Sequence, residues 1–144
     1  MPVREPERDT ARAMSEENVV IVRRAIAAIN ERDVDAYLAL CNSDFELINP
    51  VAAIEGSNRG EEGIRAFFNS INEAARRFEL EVERLQPLDD NRILASLVLR
   101  VESEGGFPQS QALTNLYELT GGKLSRVRVF RDRAQALEAA GLSE

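Results

Sequence analysis

Between Phe78 and Arg131 the sequence changes character at almost every second residue, and a period of two dictates strands. Phe78-Glu79-Leu80-Glu81-Val82-Glu83 alternates apolar and acidic side chains without exception. Asp89-Asp90-Asn91 is a turn sequence, after which Leu97, Leu99 and Val101 alternate with Val98, Arg100 and Glu102 in a strand expected over about 92–103. Glu104-Gly105-Gly106 turns the chain again; Leu113, Asn115, Tyr117 and Leu119 then oppose Thr114, Leu116 and Glu118. Gly121-Gly122 closes a hairpin onto a last strand from Leu124 to Arg131. Consecutive strands joined by short turns predict an antiparallel sheet.

The N-terminal half keeps a different period. Val19, Val22, Ile26 and Ile29 recur every three or four residues, with Arg23, Arg24 and Glu31 off that stripe. This predicts a helix from Ser15, as its N-cap, to Asn30. Asp33 can cap a short second helix whose inward set is Val34, Tyr37, Leu38 and Cys41. Phe45, Leu47 and Asn49 then alternate with Glu46 and Ile48 in a strand over Asp44 to Asn49 that Pro50 ends. Val51 to Gly60 reads as a loop, and Ile64, Phe67, Phe68, Ile71 and Ala75 restore helical spacing over Glu61 to Ala75. Asp132 caps a C-terminal helix, Ala134 to Ala140, stopped by Gly141. Residues 1–14 read as a disordered leader and residues 15–144 as one α+β domain, with helices packed on one face of the sheet.

Composition removes several functions. Eighteen basic against 25 acidic residues leave a formal charge of −7, which repels nucleic acid and anionic lipid, so neither is an expected partner. The chain has no histidine. That excludes Ser-His-Asp and Cys-His catalysis, imidazole bases and the usual zinc sites, and no metal or cofactor is expected. The single cysteine, Cys41, allows no internal disulfide and fits a reducing cytoplasm. No apolar run nears the ~20 residues that span a bilayer, and the N-terminus lacks an apolar signal core.

Alternation sorts the strand residues onto two faces. Toward the helices it puts Phe45, Leu47, Phe78, Leu80, Val82, Leu97, Leu99, Val101, Leu113, Tyr117, Val127 and Val129. Three polar residues, Asn49, Asn115 and Arg131, interrupt that lining. They either satisfy one another and the backbone inside a filled core, or mark the polar contacts of a mostly apolar ligand cavity. Tyr37 and Tyr117 are further candidate donors if they reach such a cavity. The other face mixes Glu46, Glu79, Glu81, Glu83, Arg100, Glu102, Glu118, Arg126 and Arg128 with Ile48, Val98, Leu116 and Phe130. It is either a solvated surface or a homodimer surface, with apolar residues at its centre and Arg–Glu pairs around them.

Several segments taken in order resemble the SnoaL-like family of the nuclear-transport-factor-2-like superfamily. They are Ser15-Glu16-Glu17-Asn18-Val19-Val20, Ile29-Asn30-Glu31-Arg32-Asp33, the strand end Asn49-Pro50, Arg131-Asp132-Arg133-Ala134, and Ala136-Leu137-Glu138-Ala139-Ala140-Gly141-Leu142. The resemblance implies a cone-shaped, cystatin-like α+β roll in which a curved antiparallel sheet wraps a long helix, often as a dimer. It also implies functions ranging from small-molecule binding to isomerase, polyketide-cyclase and epoxide-hydrolase chemistry. Laid on the ketosteroid isomerases of that superfamily, the catalytic aspartate falls on Asn49, the oxyanion tyrosine on Ala25 and the second oxyanion donor on Asn115. A carboxamide takes no proton near neutral pH, so Asn49 is no general base, although Asn115 can still donate to an oxyanion. Epoxide hydrolysis would need an Asp-Arg-Asp group, for which Arg131 has no obvious inner aspartates. Three expectations follow: a domain binding a small apolar molecule through Asn49, Asn115, Arg131, Tyr117 and Tyr37; an enzyme with unconventional catalytic residues; or a structural dimerisation module.

Overall fold

The computed structural model describes residues 6–49 and 58–142. Among these residues ten elements follow one another: α1 (Pro6–Asn30), α2 (Val34–Ala39), β1 (Cys41–Ile48), β2 (Asn58–Arg59), α3 (Gly60–Ala74), β3 (Arg77–Pro87), β4 (Arg92–Glu102), β5 (Gln109–Thr120), β6 (Lys123–Phe130) and α4 (Arg133–Ala139). The strands form one sheet in the order β2-β1-β6-β5-β4-β3. The long meander β3-β4-β5-β6 is antiparallel, as its turns require, but β1 joins the far side of β6 in parallel. A strand that enters from a helix rather than a tight turn is free to choose its direction, which no turn sequence reveals.

Irregularities in pairing fall between Val82 and Arg84, between Glu118 and Leu119, and between Cys41 and Glu46. Such bulges bend a strand and increase its twist, which curls this sheet around α1 and α3. The core then fills from both sides. Val22, Ala25, Ile26 and Ile29 of α1 and Ile64, Phe68 and Ile71 of α3 meet Phe45, Leu80, Ile93, Leu97, Tyr117 and Val127 of the sheet. Edge-to-face aromatic contacts link Tyr37 to Phe45 (5.8 Å) and to Phe68 (5.6 Å).

Side-chain amides tie the layers together. Asn30 behaves as an extra strand residue against β3: its Nδ2 donates to the Leu80 carbonyl (2.9 Å), and its Oδ1 accepts from the Leu80 N–H (2.8 Å). Asn18, buried in α1, donates to the Asp90 carbonyl (2.8 Å) and pins the β3–β4 turn. Helix α1 stops in a Schellman arrangement. Asp33 N–H bonds the Ala28 carbonyl (2.8 Å) and Arg32 N–H the Ile29 carbonyl (3.1 Å). Arg32 takes the left-handed position (φ 58°), normally a glycine's, and its guanidinium donates to Asn72 Oδ1 at 2.6 Å.

Several boundaries differ from the sequence reading. The first helix begins at Pro6, so Ser15 lies inside it rather than capping it, and the expected leader is helical from residue 6 onward. Residues 1–5 and 50–57, including Pro50, Gly56 and most of the expected loop, lie outside the described residues. Asn58 and Arg59, expected in that loop, pair with Leu47 and Glu46 as a sixth strand. Cys41 opens β1 instead of closing α2; its buried thiol points to the Tyr37 carbonyl (3.3 Å). The caps of α2 and α4 are where the sequence puts them: Asp33 accepts from Ala36 N–H (3.0 Å) and Asp132 from Ala134 N–H (2.7 Å).

The outer sheet face is corrected more deeply. Leu116, expected among the apolar residues of the outer face, is fully buried together with Leu94, because Ala136 and Leu137 of α4 and Ala140 at its C-cap lie across them. Arg133 anchors that helix, donating to Ser96 Oγ (3.3 Å) and Gln86 Oε1 (3.0 Å). What α4 leaves open carries the expected cross-strand charge pairs. Arg126 donates to both Glu118 oxygens at 3.0 Å and Arg128 to one of them at 2.7 Å, while Arg100 pairs with Glu81. Among the described residues no helix is long and apolar enough to cross a membrane.

Candidate functional site

The concave side of the sheet does not close completely on the helices. A cavity of about 240 Å³ remains between α1, α2, α3 and the middle of the sheet. Its walls are mostly hydrocarbon: Ile29 from α1, Phe67 from α3, Leu47 from β1, Phe78 and Leu80 from β3, Leu99 from β4, Leu113 from β5, and Val127 and Val129 from β6. The period of two makes this possible, since every second residue of each strand presents a side chain to the same hollow.

All five residues singled out from the sequence line this one space: Tyr37, Asn49, Asn115, Tyr117 and Arg131. They sort by depth. Tyr37, Asn115 and Tyr117 are buried, Asn49 is half-buried just past the end of β1, and Arg131 is exposed just past the end of β6. Gln111, which the sequence reading did not name, joins Arg131 at the open end. The available signal was parity: Gln111 precedes Leu113, Asn115 and Tyr117 on one face of β5, but the strand was expected to start later.

At the deep end Asn115 and Tyr117 form a polar pair. Asn115 Nδ2 lies 3.3 Å from the Tyr117 hydroxyl oxygen and donates to it. Asn115 is only 5% exposed, yet its Oδ1 has no hydrogen-bond partner. A buried amide acceptor left without a donor costs on the order of 1–3 kcal/mol, so folds rarely keep one without a use. Tyr117, whose hydroxyl accepts from Asn115, retains its own proton to give.

The electrostatics of the deep end favour neutral groups. Burial pushes the Tyr117 hydroxyl from 10.0 up to about 12, the Asn115 hydrogen bond opposing slightly. Tyr37 is raised well above its ordinary value, first by burial and then by its neighbours Cys41 and Tyr117. Both tyrosines therefore remain protonated donors throughout the neutral range. No carboxylate lines the cavity among the described residues, and no three potential metal ligands gather anywhere among them. The arrangement can hydrogen-bond a polar group inside an apolar enclosure and present one cation at the entrance.

Comparison with known proteins agrees with this architecture. The sequence profile described as a SnoaL-like domain matches residues 22–127. No curated protein sequence matches significantly. Among solved structures, a nuclear-transport-factor-2-like protein of unknown function from Burkholderia pseudomallei superposes with a TM-score of 0.73 at 18% identity, over 85% of this chain and 95% of that one. TerC, co-crystallised with polyporic acid, gives a TM-score of 0.72 at 18% identity, over 85% and 96%. Rv0760c from Mycobacterium tuberculosis, in complex with estradiol-17β-hemisuccinate, gives 0.70 at 21% identity, over 81% and 95%.

Proposed function

Because the chain belongs to the SnoaL-like domain family, with the cone of nuclear-transport-factor-2-like proteins, we propose that it binds a small, mostly apolar molecule inside that cone. One observation carries the reading: a hollow of about 240 Å³ persists beside a core in which Phe45, Ile64, Ile93 and Leu97 are fully buried. Interiors normally pack without voids much larger than water, and an apolar cavity of about 150 Å³ takes up benzene. This one has room for a substituted bicyclic ring. The polyporic acid and estradiol-17β-hemisuccinate seen in the TerC and Rv0760c structures support a ring-containing, mostly apolar occupant.

Binding is favoured over turnover because, among the described residues, the cavity lining supplies hydrogen-bond donors but no proton acceptor of suitable basicity. An isomerase, cyclase or hydrolase reading would require a base that the described lining residues do not provide. The test is direct. Leu113, partly buried on the cavity wall, is replaced by tryptophan to fill the hollow. Calorimetry with 2-naphthol is expected to give micromolar-range binding to the native protein and at least tenfold weaker binding to Leu113→Trp, whose thermal unfolding stays cooperative. Unchanged binding in the filled variant would place the ligand elsewhere.

The homodimer expected through the outer sheet face is retained as part of this proposal, in a narrower form. With Leu94 and Leu116 covered by α4, the contact would rest on half-buried Ile48 and Val98 beside the Glu118–Arg126–Arg128 network. Charge reversal at Arg128 leaves two carboxylates side by side on this surface, so Arg128→Glu is expected to convert a dimer into a monomer by light scattering. A native protein that scatters as a monomer at every concentration removes the interface. A reducing, cytoplasmic setting accords with the buried, unpaired thiol of Cys41.

A further inference from the structure

The two ends of the cavity differ in chemistry, and the difference names a ligand class. At the deep end, Asn115 Oδ1 is an acceptor with nothing donating to it, beside a Tyr117 hydroxyl that has a proton to give. Turning the carboxamide end for end exchanges the roles but still leaves one unsatisfied donor and one unsatisfied acceptor in this pair on the cavity wall. A ketone or ether satisfies only the donor. A hydroxyl satisfies both, accepting from one member of the pair and donating to the other.

At the entrance the group is a guanidinium. Asn115 is paired with Val129 across β5 and β6, and Arg131 lies two residues further along the same face, roughly 7 Å at the rise of a strand. Arg131 is exposed and has no ion-pair partner among the described residues, unlike Arg126 and Arg128 on the outer face. In a chain of net charge −7, a lone cation at the mouth of an apolar hollow selects for an anion held at that point. Gln111 beside it can donate to the same group.

Resting on the binding reading above, we infer that the ligand is an apolar hydroxy acid. Its ring system fills the hollow, its hydroxyl meets Asn115 and Tyr117, and its carboxylate stands at Arg131.

Three probes separate the contributions: 6-hydroxy-2-naphthoate, its methyl ether 6-methoxy-2-naphthoate, and 2-naphthol, which has no carboxylate. Calorimetry on the full chain is expected to rank the hydroxy acid at least tenfold tighter than either of the others, since a site built to hydrogen-bond a hydroxyl discriminates against its absence. Asn115→Leu should erase the preference for hydroxyl over methoxy. Arg131→Gln, at an exposed position that leaves the core untouched, should erase the preference for naphthoate over naphthol. Should Asn115→Leu fail to fold, the ranking of the three probes on the native protein and on Arg131→Gln still decides. Equal affinities for all three, or preferences that survive both substitutions, overturn the hydroxy-acid assignment while leaving an apolar binding cavity in place. Failure of all three to bind overturns the cavity reading itself.

Discussion

Replacing Phe45 by alanine is expected to destabilise the fold by roughly 3–5 kcal/mol, the largest effect of any single truncation considered. Phe45 is fully buried at the start of the regular part of β1, edge-on to Tyr37, where β1 meets the helices. Its removal costs the transfer of a whole ring plus a cavity that close-packed neighbours cannot refill. Phe67 provides the contrast. It is half-buried on α3, meets Phe68 at 5.9 Å, and has the hollow rather than side chains on its other flank. Its ring has fewer partners to lose, so Phe67→Ala is expected to cost about 1–2 kcal/mol. Denaturant unfolding of the two variants measures the difference. Equal losses would mean that Phe67 is packed on all sides in solution and that the hollow is filled by the protein itself.

The second large effect is alkaline. The chain contains two tyrosines and no tryptophan, and both tyrosines are buried. Below pH 10 their hydroxyls keep their protons in the folded and the unfolded chain alike, so the stability their burial supports is fully present. Between about pH 10 and 12 the unfolded chain releases these protons while the folded chain, with Tyr117 raised to about 12 and Tyr37 raised well above its ordinary value, does not. Stability therefore falls as pH rises through this window, by about 3 kcal/mol for Tyr117 alone. Cys41 opens the same loss from near 9, since burial raises its thiol from 9.0 to about 12 against the opposing pull of Lys123. An alkaline titration is expected to show tyrosinate absorbance rising only as the circular dichroism of the fold is lost. Tyrosinate appearing near pH 10 with the fold intact would show that these hydroxyls reach bulk water.

These two predictions concern opposite aspects of one interior. Phe45 reports where packing is complete, and the tyrosines report how dry the deep end of the hollow is. A dry wall matters for binding because the hydrogen bonds offered by Asn115 and Tyr117 are stronger where water does not compete.

Much of this was legible in the residues. Alternation from Phe78 onward identified the strands of the meander and, between bulges, the face of each side chain, because a regular pleat allows no other assignment of odd and even positions. The same parity put Asn115 and Tyr117 on the concave wall. Local capping chemistry located Asp33 and Asp132 because a carboxylate satisfies exposed helix N–H groups wherever it falls. Ser15 and two glutamates imitate a helix N-terminus that the fold does not have there; Ser15 Oγ instead reaches the Asp89 carbonyl at 3.4 Å. Arg32 in a left-handed conformation broke the expectation that a glycine or asparagine ends a helix, since distant contacts on α3 hold it there.

The sequence by itself determined the periods, and with them every described element except β2, the two faces of the sheet and the polar residues that interrupt the inner one. Only tertiary structure decided that β1 runs parallel to β6, that α4 lies over Leu94 and Leu116, and that helices and sheet stop short of filling the space between them. The reason is physical: side-chain direction follows from neighbouring residues along the chain, whereas direction of pairing, coverage and residual volume depend on how surfaces distant in sequence meet.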